Sequence, residues 1–296
     1  MPYRVRSQGP LIESLQKIFE GRSKKDLRRL VREGRVTVNG NLVKDASTPV
    51  SEGEWIECAR GSGATQVHPR VKLLYEDDHL LVVEKDAGIL TSGGVRGKSP
   101  TVEDVLKGYL QSRGLRVAPF PCHRLDRDVS GILLFAKKRR LAERVRGDAR
   151  AYLTARVYHA LVEGKPGPPH GTIQSYLRDD EDKVVRPQGG DGSGKLSISH
   201  YRTVESGEIY SVLEVRLETG RKNQIRAHLS QIGHPVAGDR KYGARTDPAR
   251  RVCLHAARLD VVHPVTGAKL EFSSAPPPSF AHAVKVASEA GASRRG

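Results

Sequence analysis

The chain has 296 residues, enough for one large domain, or a large and a small one, each with a buried core. Hydrophobic residues make up 37% and charged residues 28%, and no run approaches the roughly 20 apolar residues that span a bilayer, so a transmembrane helix is excluded. Lys and Arg number 50 against 34 Asp and Glu, a formal charge of +16 that attracts polyanions, nucleic acid first among them. Composition does not separate RNA from DNA, and a charge carried only for solubility is the bland alternative. Cys58, Cys122 and Cys253 are far apart and form no Cys-x-x-Cys pair, which argues against a disulfide framework and a zinc site. No secretory signal is read in MPYRVRSQGPLIESLQ, and a cytoplasmic location is expected.

In chain order, Leu11, Leu15 and Ile18 recur at helical spacing, with Gly21 as a stop. Ser23 and Asp26 read as a variant capping box opening a second helix through Leu27, Leu30 and Val31 to Gly34. The strand Arg35–Val38 leads into Asn39-Gly40, a type I′ hairpin signal, and a further strand is expected at Trp55–Glu57. Residues 22–35 carry seven positive and two negative charges, and Arg28, Arg29, Arg32 and Arg35 would line one basic face. By itself such a run is most simply a solvated helix face. Joined to Glu33-Gly34-Arg35-Val36-Thr37-Val38-Asn39-Gly40, residues 10–58 resemble the αL RNA-binding module of a small-subunit ribosomal protein and of several RNA-modifying enzymes. That resemblance implies docking on structured RNA by shape and phosphate contacts.

Residues 59–70 are small, polar and basic and read as a linker, assigned to 61–70 between a module over 1–60 and a large domain over 71–290. A tail is expected over 291–296. Strands are expected at Leu73–Tyr75, Leu80–Glu84, Ile132–Phe135, Val157–Val162, Ile173–Leu177, Ser197–Val204 and Tyr210–Leu217. A capped helix is expected after Thr101, and a basic helix over 138–150. Many strands with few helices between them imply an α+β fold: a large mixed, mainly antiparallel sheet flanked by helices, beside the small α/β module. The Gly-rich segment 188–194 reads as a hairpin tip, since it lacks the ending of a phosphate loop.

Two polar clusters carry the chemistry. His123-Arg124-Leu125-Asp126-Arg127-Asp128-Val129-Ser130-Gly131 precedes an apolar strand, where such charge is costly unless paired or used. Spacing alone leaves a salt-bridged turn and a catalytic site equally open. The second cluster runs from Leu217 through Arg221, Lys222, Asn223, Gln224 and Arg226 to Pro235. Its Ile225, His228, Leu229 and Ile232 share a helical face. Arg226 can turn inward on that helix only if a buried anion meets it. His228 reads as a satisfied core histidine, His234 as a turn support, and no set of side chains has metal-ligand spacing.

His123–Gly131 resembles the signature of pseudouridine synthases of the RluA type, the ribosomal-large-subunit and tRNA branch. The second cluster, extended through Gly233–Asp239 and Tyr242-Gly243, resembles that family's other long motif. Val157–Gly164 resembles the strand carrying its tyrosine, and Leu254-His255-Ala256 with His263-Pro264 completes the order across about 71–283. Lys85-Asp86 departs from the family's usual Lys-Pro, and Asn223 from its usual His.

The resemblance implies uridine-to-pseudouridine isomerisation with Asp126 as the catalytic carboxylate, Arg226 keeping it ionised, and Tyr158 stacking on the uracil and sharing in proton transfer. It further implies that Arg124 fills the space a flipped base vacates. Arg221 would bind phosphate or sugar, with His123, Asn223 and Gln224 also at the substrate. Asp128 is the rival carboxylate, read as a loop support. The isomerisation has no net redox change or hydrolysis, so no cofactor or metal is expected. The expected partner is structured RNA, ribosomal RNA favoured and tRNA possible, with the enzyme a monomer. A catalytically silent RNA-binding or ribosome-assembly protein and a base-excising glycosylase are the alternatives.

Overall fold

A computed structural model describes residues 3–19, 23–32, 36–58, 65–93, 99–179, 185–188 and 194–292. Its contacts divide the chain into two compact units, residues 1–65 together with Leu74–Glu76, and Gln66–Leu73 together with 77–296.

The smaller unit runs β1 (Tyr3–Arg4), β2 (Gly9–Pro10), α1 (Leu11–Ile18), α2 (Lys24–Arg32), β3 (Val36–Val38), β4 (Asn41–Val43), β5 (Pro49–Val50) and β6 (Trp55–Cys58). Its four-stranded sheet has the order β1-β6-β3-β4, with β2 and β5 paired separately. Leu11 and Leu15 from α1 and Leu27 and Val31 from α2 bury completely against Val36 and Ile56. Asn39 and Gly40 both take positive φ, 51° and 79°, as a type I′ turn demands. Opposite the buried stripe of α2, Lys24, Lys25, Arg28 and Arg32 are exposed, a basic face of the kind the sequence implies. Arg35, the Arg29 side chain and the helix stops at Gly21 and Gly34 lie outside the described residues.

Next in the chain comes β7 (Thr65–His68), so residues 65–68 of the segment expected to be linker are strand, paired with β8 (Val71–Glu76). The chain continues with β9 (Leu80–Lys85), α3 (Val102–Ser112), β10 (Phe120–Pro121), β11 (Ser130–Ala136), α4 (Arg139–Gly147), α5 (Ala149–Tyr152) and β12 (Leu153–Glu163). Then come β13 (His170–Asp179), β14 (Val185–Gln188), β15 (Lys195–Ser206), β16 (Tyr210–Leu217), α6 (Gln224–Gln231), a 3-10 turn (Arg240–Tyr242), β17 (Leu254–Val262), β18 (Lys269–Ser273) and α7 (Ser279–Ala292). Helix α7 enters the expected tail by two residues, and most of the 188–194 hairpin tip lies outside the described residues.

Ten of the twelve strands form one path, β14-β13-β15-β16-β12-β17-β11-β9-β8-β7, with β10 added to β11 and β18 to β17. β11 pairs antiparallel with β9 but parallel with β17, and β17, β12, β16, β15, β13 and β14 continue antiparallel. The sheet is therefore mixed and mainly antiparallel, as the strand-rich pattern implies. All seven residues of β11 are buried, and each large apolar side chain among them contributes roughly 1.5–3 kcal/mol. Thr101 forms a complete capping box with Asp104, which fixes the start of α3. The single basic helix expected over 138–150 is two, because the Asp148 side chain caps Ala151 and restarts the helix there. No helix among the described residues is long and apolar enough to cross a membrane.

Candidate active site

The parallel pairing of β11 and β17 creates the site. Ser130 and Gly131 lie opposite His255 and Ala256, and Ala256 in turn lies opposite Tyr158 on β12. Gly131, Ala256 and Tyr158 thus form one row across three central strands, and the loop just before Gly131 is delivered to the tyrosine. Gly131 has φ of 119°, and a Cβ there would run into the backbone of Ala256, so only glycine permits this approach. Ser130 receives a hydrogen bond from Arg251 at 2.8 Å, which leaves its own proton for His255 Nδ1 at 2.8 Å. His255 Nε2 then faces Ser274, whose hydroxyl meets Glu84. Burial pushes the His255 pKa down to about 4, consistent with the neutral ring this chain of bonds requires.

Both peptide neighbours of Asp126 are clamped. Thr91 Oγ1 donates to the Leu125 carbonyl at 2.8 Å and accepts from the Leu125 N–H at 3.1 Å. On the other side the Arg127 carbonyl accepts from Lys85 Nζ at 3.1 Å and from the Gly88 N–H at 2.8 Å. Lys85 is fully buried and also donates to the carbonyls of Asp86 and Ile89. Burial, with the nearby Arg251 charge, lowers its pKa to about 7. The carboxylate position is therefore fixed by the backbone on either side of it.

Arg226 supplies the buried cation. It sits in the first turn of α6, and its Nη1 donates to Asp126 Oδ2 at 2.9 Å and to Asn223 Oδ1 at 3.1 Å. Its Nε and Nη2 form a fork on the two oxygens of Asp239, at 2.5 and 2.7 Å, and its guanidinium lies 4.8 Å from the Tyr242 ring centre. Burial alone would lower its pKa, but the hydrogen bonds and charge of Asp239, joined by Asp126, outweigh that and raise it. Asp239 is 1% exposed, whereas the Asp126 side chain keeps 24% of its surface open. One carboxylate anchors the arginine; the other reaches the cleft.

That cleft encloses about 400 Å³, room for a nucleoside-sized group, and is lined by Asp126, Tyr158, Arg226, Arg124, His123, Arg221, Asn223 and Gln224 among others. Tyr158 is buried, and burial pushes its hydroxyl up to about 12, so it stays protonated at neutral pH. His123 accepts the Leu134 N–H on Nε2 at 3.1 Å, and burial, then the Arg156 charge, lowers its pKa to about 3. It is a neutral support for the loop. Arg124 and Arg221 are exposed at the cleft edge.

The cleft is lined by every residue the sequence selects for the site, and three of those expected at the substrate, His123, Asn223 and Gln224, also hold bonds within the protein. Gln224 reads from sequence as a substrate contact, but its amide is fully committed. It accepts from Thr219 and from the Arg221 N–H and donates to Ile198 O and Ser199 Oγ, so it braces the 219–223 turn. Asn223 adopts left-handed φ of 53° and orients Arg226. Asp128 pairs with neighbouring Arg127 at 3.0 Å and does not line the cleft. His228 is a core histidine held between Ser199 and Ser175, and His234 supports the turn at Glu163. Sequence reasoning gave no role to Thr91, Lys85, Arg156 or Asp239. For Asp239 a signal existed, since an inward Arg226 demands a buried anion.

A clamped carboxylate on a buried guanidinium, in a basic cleft over a central sheet, marks an enzyme for a nucleic-acid substrate. The family model described as RNA pseudouridylate synthase matches residues 79–231, and an S4 domain model matches 14–56. The chain is 35% identical over 210 residues to the uncharacterized RNA pseudouridine synthase YhcT of Bacillus subtilis, covering 69% of both chains. It is 29% identical over 307 residues to the ribosomal large subunit pseudouridine synthase D of Pasteurella multocida, covering 93% of this chain and 90% of that one. The fold matches human RNA Pseudouridylate Synthase Domain Containing 1 with a TM-score of 0.59 at 24% identity, over 74% of this chain and 89% of that one. The chain belongs to the RNA pseudouridylate synthase family and carries an N-terminal S4 domain; it is an isomerase of uridine in RNA.

Proposed function

We propose that the enzyme converts specific uridines of large-subunit ribosomal RNA to pseudouridine, acting as a cytoplasmic monomer, with Asp126, Arg226 and Tyr158 as its catalytic residues. The observation that carries this reading is the 2.9 Å bond between Arg226 and Asp126 at the cleft. A carboxylate enclosed beside a flipped base would drift toward its neutral form, and a fixed guanidinium opposes that drift. Support for ribosomal RNA comes from relatives named ribosomal large subunit pseudouridine synthase D that align over about nine-tenths of this chain.

The reaction breaks the bond between N1 and the ribose, turns the uracil, and joins C5 to the same ribose carbon. The C5 proton leaves to solvent, and N1 ends protonated. Asp126 attacks or takes a proton to start this sequence. Tyr158 stacks on the uracil. Its protonated hydroxyl gives its proton to N1 once the glycosidic bond has broken, and the phenolate so formed takes the proton leaving C5, which then exchanges with solvent. Extruding the base costs a few kcal/mol of unstacking, and Arg124 at the cleft edge fills the space it leaves. Arg221 and the exposed Arg28 and Arg32 of the S4 domain meet RNA phosphates, joined by Arg29 and Arg35.

The test is tritium release from ribosomal RNA and tRNA carrying uridine tritiated at C5, with the wild type against Asp126→Asn. Release by the wild type alone, from ribosomal RNA and without free uracil, is the expected result. Release from tRNA only would move the substrate. Free uracil would mark a glycosylase, and turnover retained by Asp126→Asn would overturn the assignment of the carboxylate.

A further inference from the structure

Two residues before Tyr158 on β12, Arg156 is 9% exposed and has no carboxylate partner among the described residues. Its Nη2 donates to the carbonyls of Glu218 at 3.0 Å and Leu217 at 3.5 Å, and its buried Nε has no hydrogen-bond partner. The Glu218 carboxylate is engaged elsewhere, by Arg150 at 3.0 Å and His200 at 3.3 Å. A Cβ at Gly220 would collide with Arg156 Nη1, so that glycine keeps the space beside the guanidinium open. Burial works against the arginine's charge, as the lowered pKa reflects. A buried cation left without a counter-ion is costly, and proteins retain one where an anion arrives.

The arginine's position says which anion. Arg156 lines the catalytic cleft and also a neighbouring recess of about 330 Å³ that Arg150, His200 and Arg216 share. It stands two residues before Tyr158 on the same strand. Uracil brings no formal charge to offset a guanidinium; the backbone of an RNA strand does. We infer that Arg156 is the floor of an anion subsite that takes a phosphodiester of the bound strand, adjacent to the nucleotide held at Tyr158. This deepens, and rests on, the RNA-isomerase reading above. Nη1, facing the space that Gly220 leaves open, makes no hydrogen bond to the described residues and is the nitrogen that would donate to a phosphate oxygen.

Two substitutions test it. Arg156→Gln removes the charge, and Gly220→Ala keeps the charge but displaces the guanidinium, so one variant serves if the other folds poorly. With inorganic phosphate as probe, the wild type should gain thermal stability across a phosphate titration at constant ionic strength, and both variants should gain less. On an RNA oligonucleotide carrying the mapped target uridine, Arg156→Gln should raise KM about tenfold with the loss falling on KM rather than kcat, and flatten the log affinity against log salt slope by about 0.7. A neutral methylphosphonate beside the target should weaken wild-type binding and leave Arg156→Gln indifferent. If free phosphate protects but the methylphosphonate affects both proteins alike, the subsite is one for free phosphate and the proposal falls. Equal protection, equal slopes and equal KM would make Arg156 a brace for the Leu217 and Glu218 carbonyls only. Phosphate protection that depends on Arg156 in an enzyme releasing no tritium would sink the isomerase reading and leave the anion site standing.

Discussion

Arg226 divides its guanidinium between two carboxylates, Asp126 at 2.9 Å through Nη1 and the buried Asp239 through Nε and Nη2. The fork to Asp239 fixes the plane of the arginine, and that plane sets where Asp126 must lie to receive the remaining nitrogen. Asp239→Asn should free this plane without touching substrate. A misplacement near 1 Å costs about 100-fold, so single-turnover tritium release should slow by that order while RNA affinity holds. An unchanged rate would show that the fork has no positioning role.

The Tyr158 hydroxyl, held protonated with its pKa near 12, separates two functions of the ring. Tyr158→Phe preserves stacking and removes the proton carrier. The expected outcome is a drop in kcat of about 10²–10⁴ with little change in KM, measured as tritium release under saturating enzyme. A drop below threefold would confine Tyr158 to stacking.

Thr91 holds both the N–H and the carbonyl of Leu125, the residue before Asp126. Thr91→Val keeps the shape and abandons both buried partners, for about 1–3 kcal/mol of stability by urea denaturation. Because the loosened peptide adjoins Asp126, kcat should fall as well. Lost stability with unaltered kcat would mean that Lys85 and Gly88 position the loop unaided.

Acid should unfold the protein through its histidines. His123, His228 and His255 have pKa values lowered by burial to about 3, 4 and 4. The unfolded chain titrates near pH 6.5. Between those values the unfolded state binds protons that the folded state refuses. Stability is therefore complete above pH 6.5 and falls as pH drops toward 4, by about 1.4 kcal/mol per pH unit for each ring. Denaturation measured from pH 7.5 to 5 should show this decline, and His255→Gln should remove one ring's share of the slope. A flat profile would place these rings in contact with water.

Gly131 is the point at which the sheet and the site depend on one atom. Gly131→Ala adds a methyl where the Ala256 backbone already stands, at a φ of 119° that side chains avoid. Destabilisation above about 4 kcal/mol, or no folded protein, is expected from thermal melts, since backbone strain and overpacking combine there. A stable variant would mean that β11 and β17 can separate without loss.

Much of this was legible in the sequence because it rests on local physics. The Asn39-Gly40 turn, the Thr101 capping box, the buried run Ile132–Phe135 and the amphipathic stripe of α2 follow from neighbours a few residues apart. So does the density of charge before β11, and the ordered motifs joined that loop to Tyr158 and Arg226. Tertiary structure alone decided what those charges do. Asp126 and Arg226 are 100 residues apart, and their meeting depends on one parallel strand pair whose close approach needs a glycine. Gln224 braces its turn because Ile198 and Ser199, from a strand some 25 residues away, and Thr219 and Arg221 of its own turn together consume its amide. Arg156 looked like any strand arginine, and only burial without a counter-charge distinguishes it. Local sequence fixes turns, caps and periodicity; which polar groups find partners depends on long-range packing, and there the roles of these residues were set.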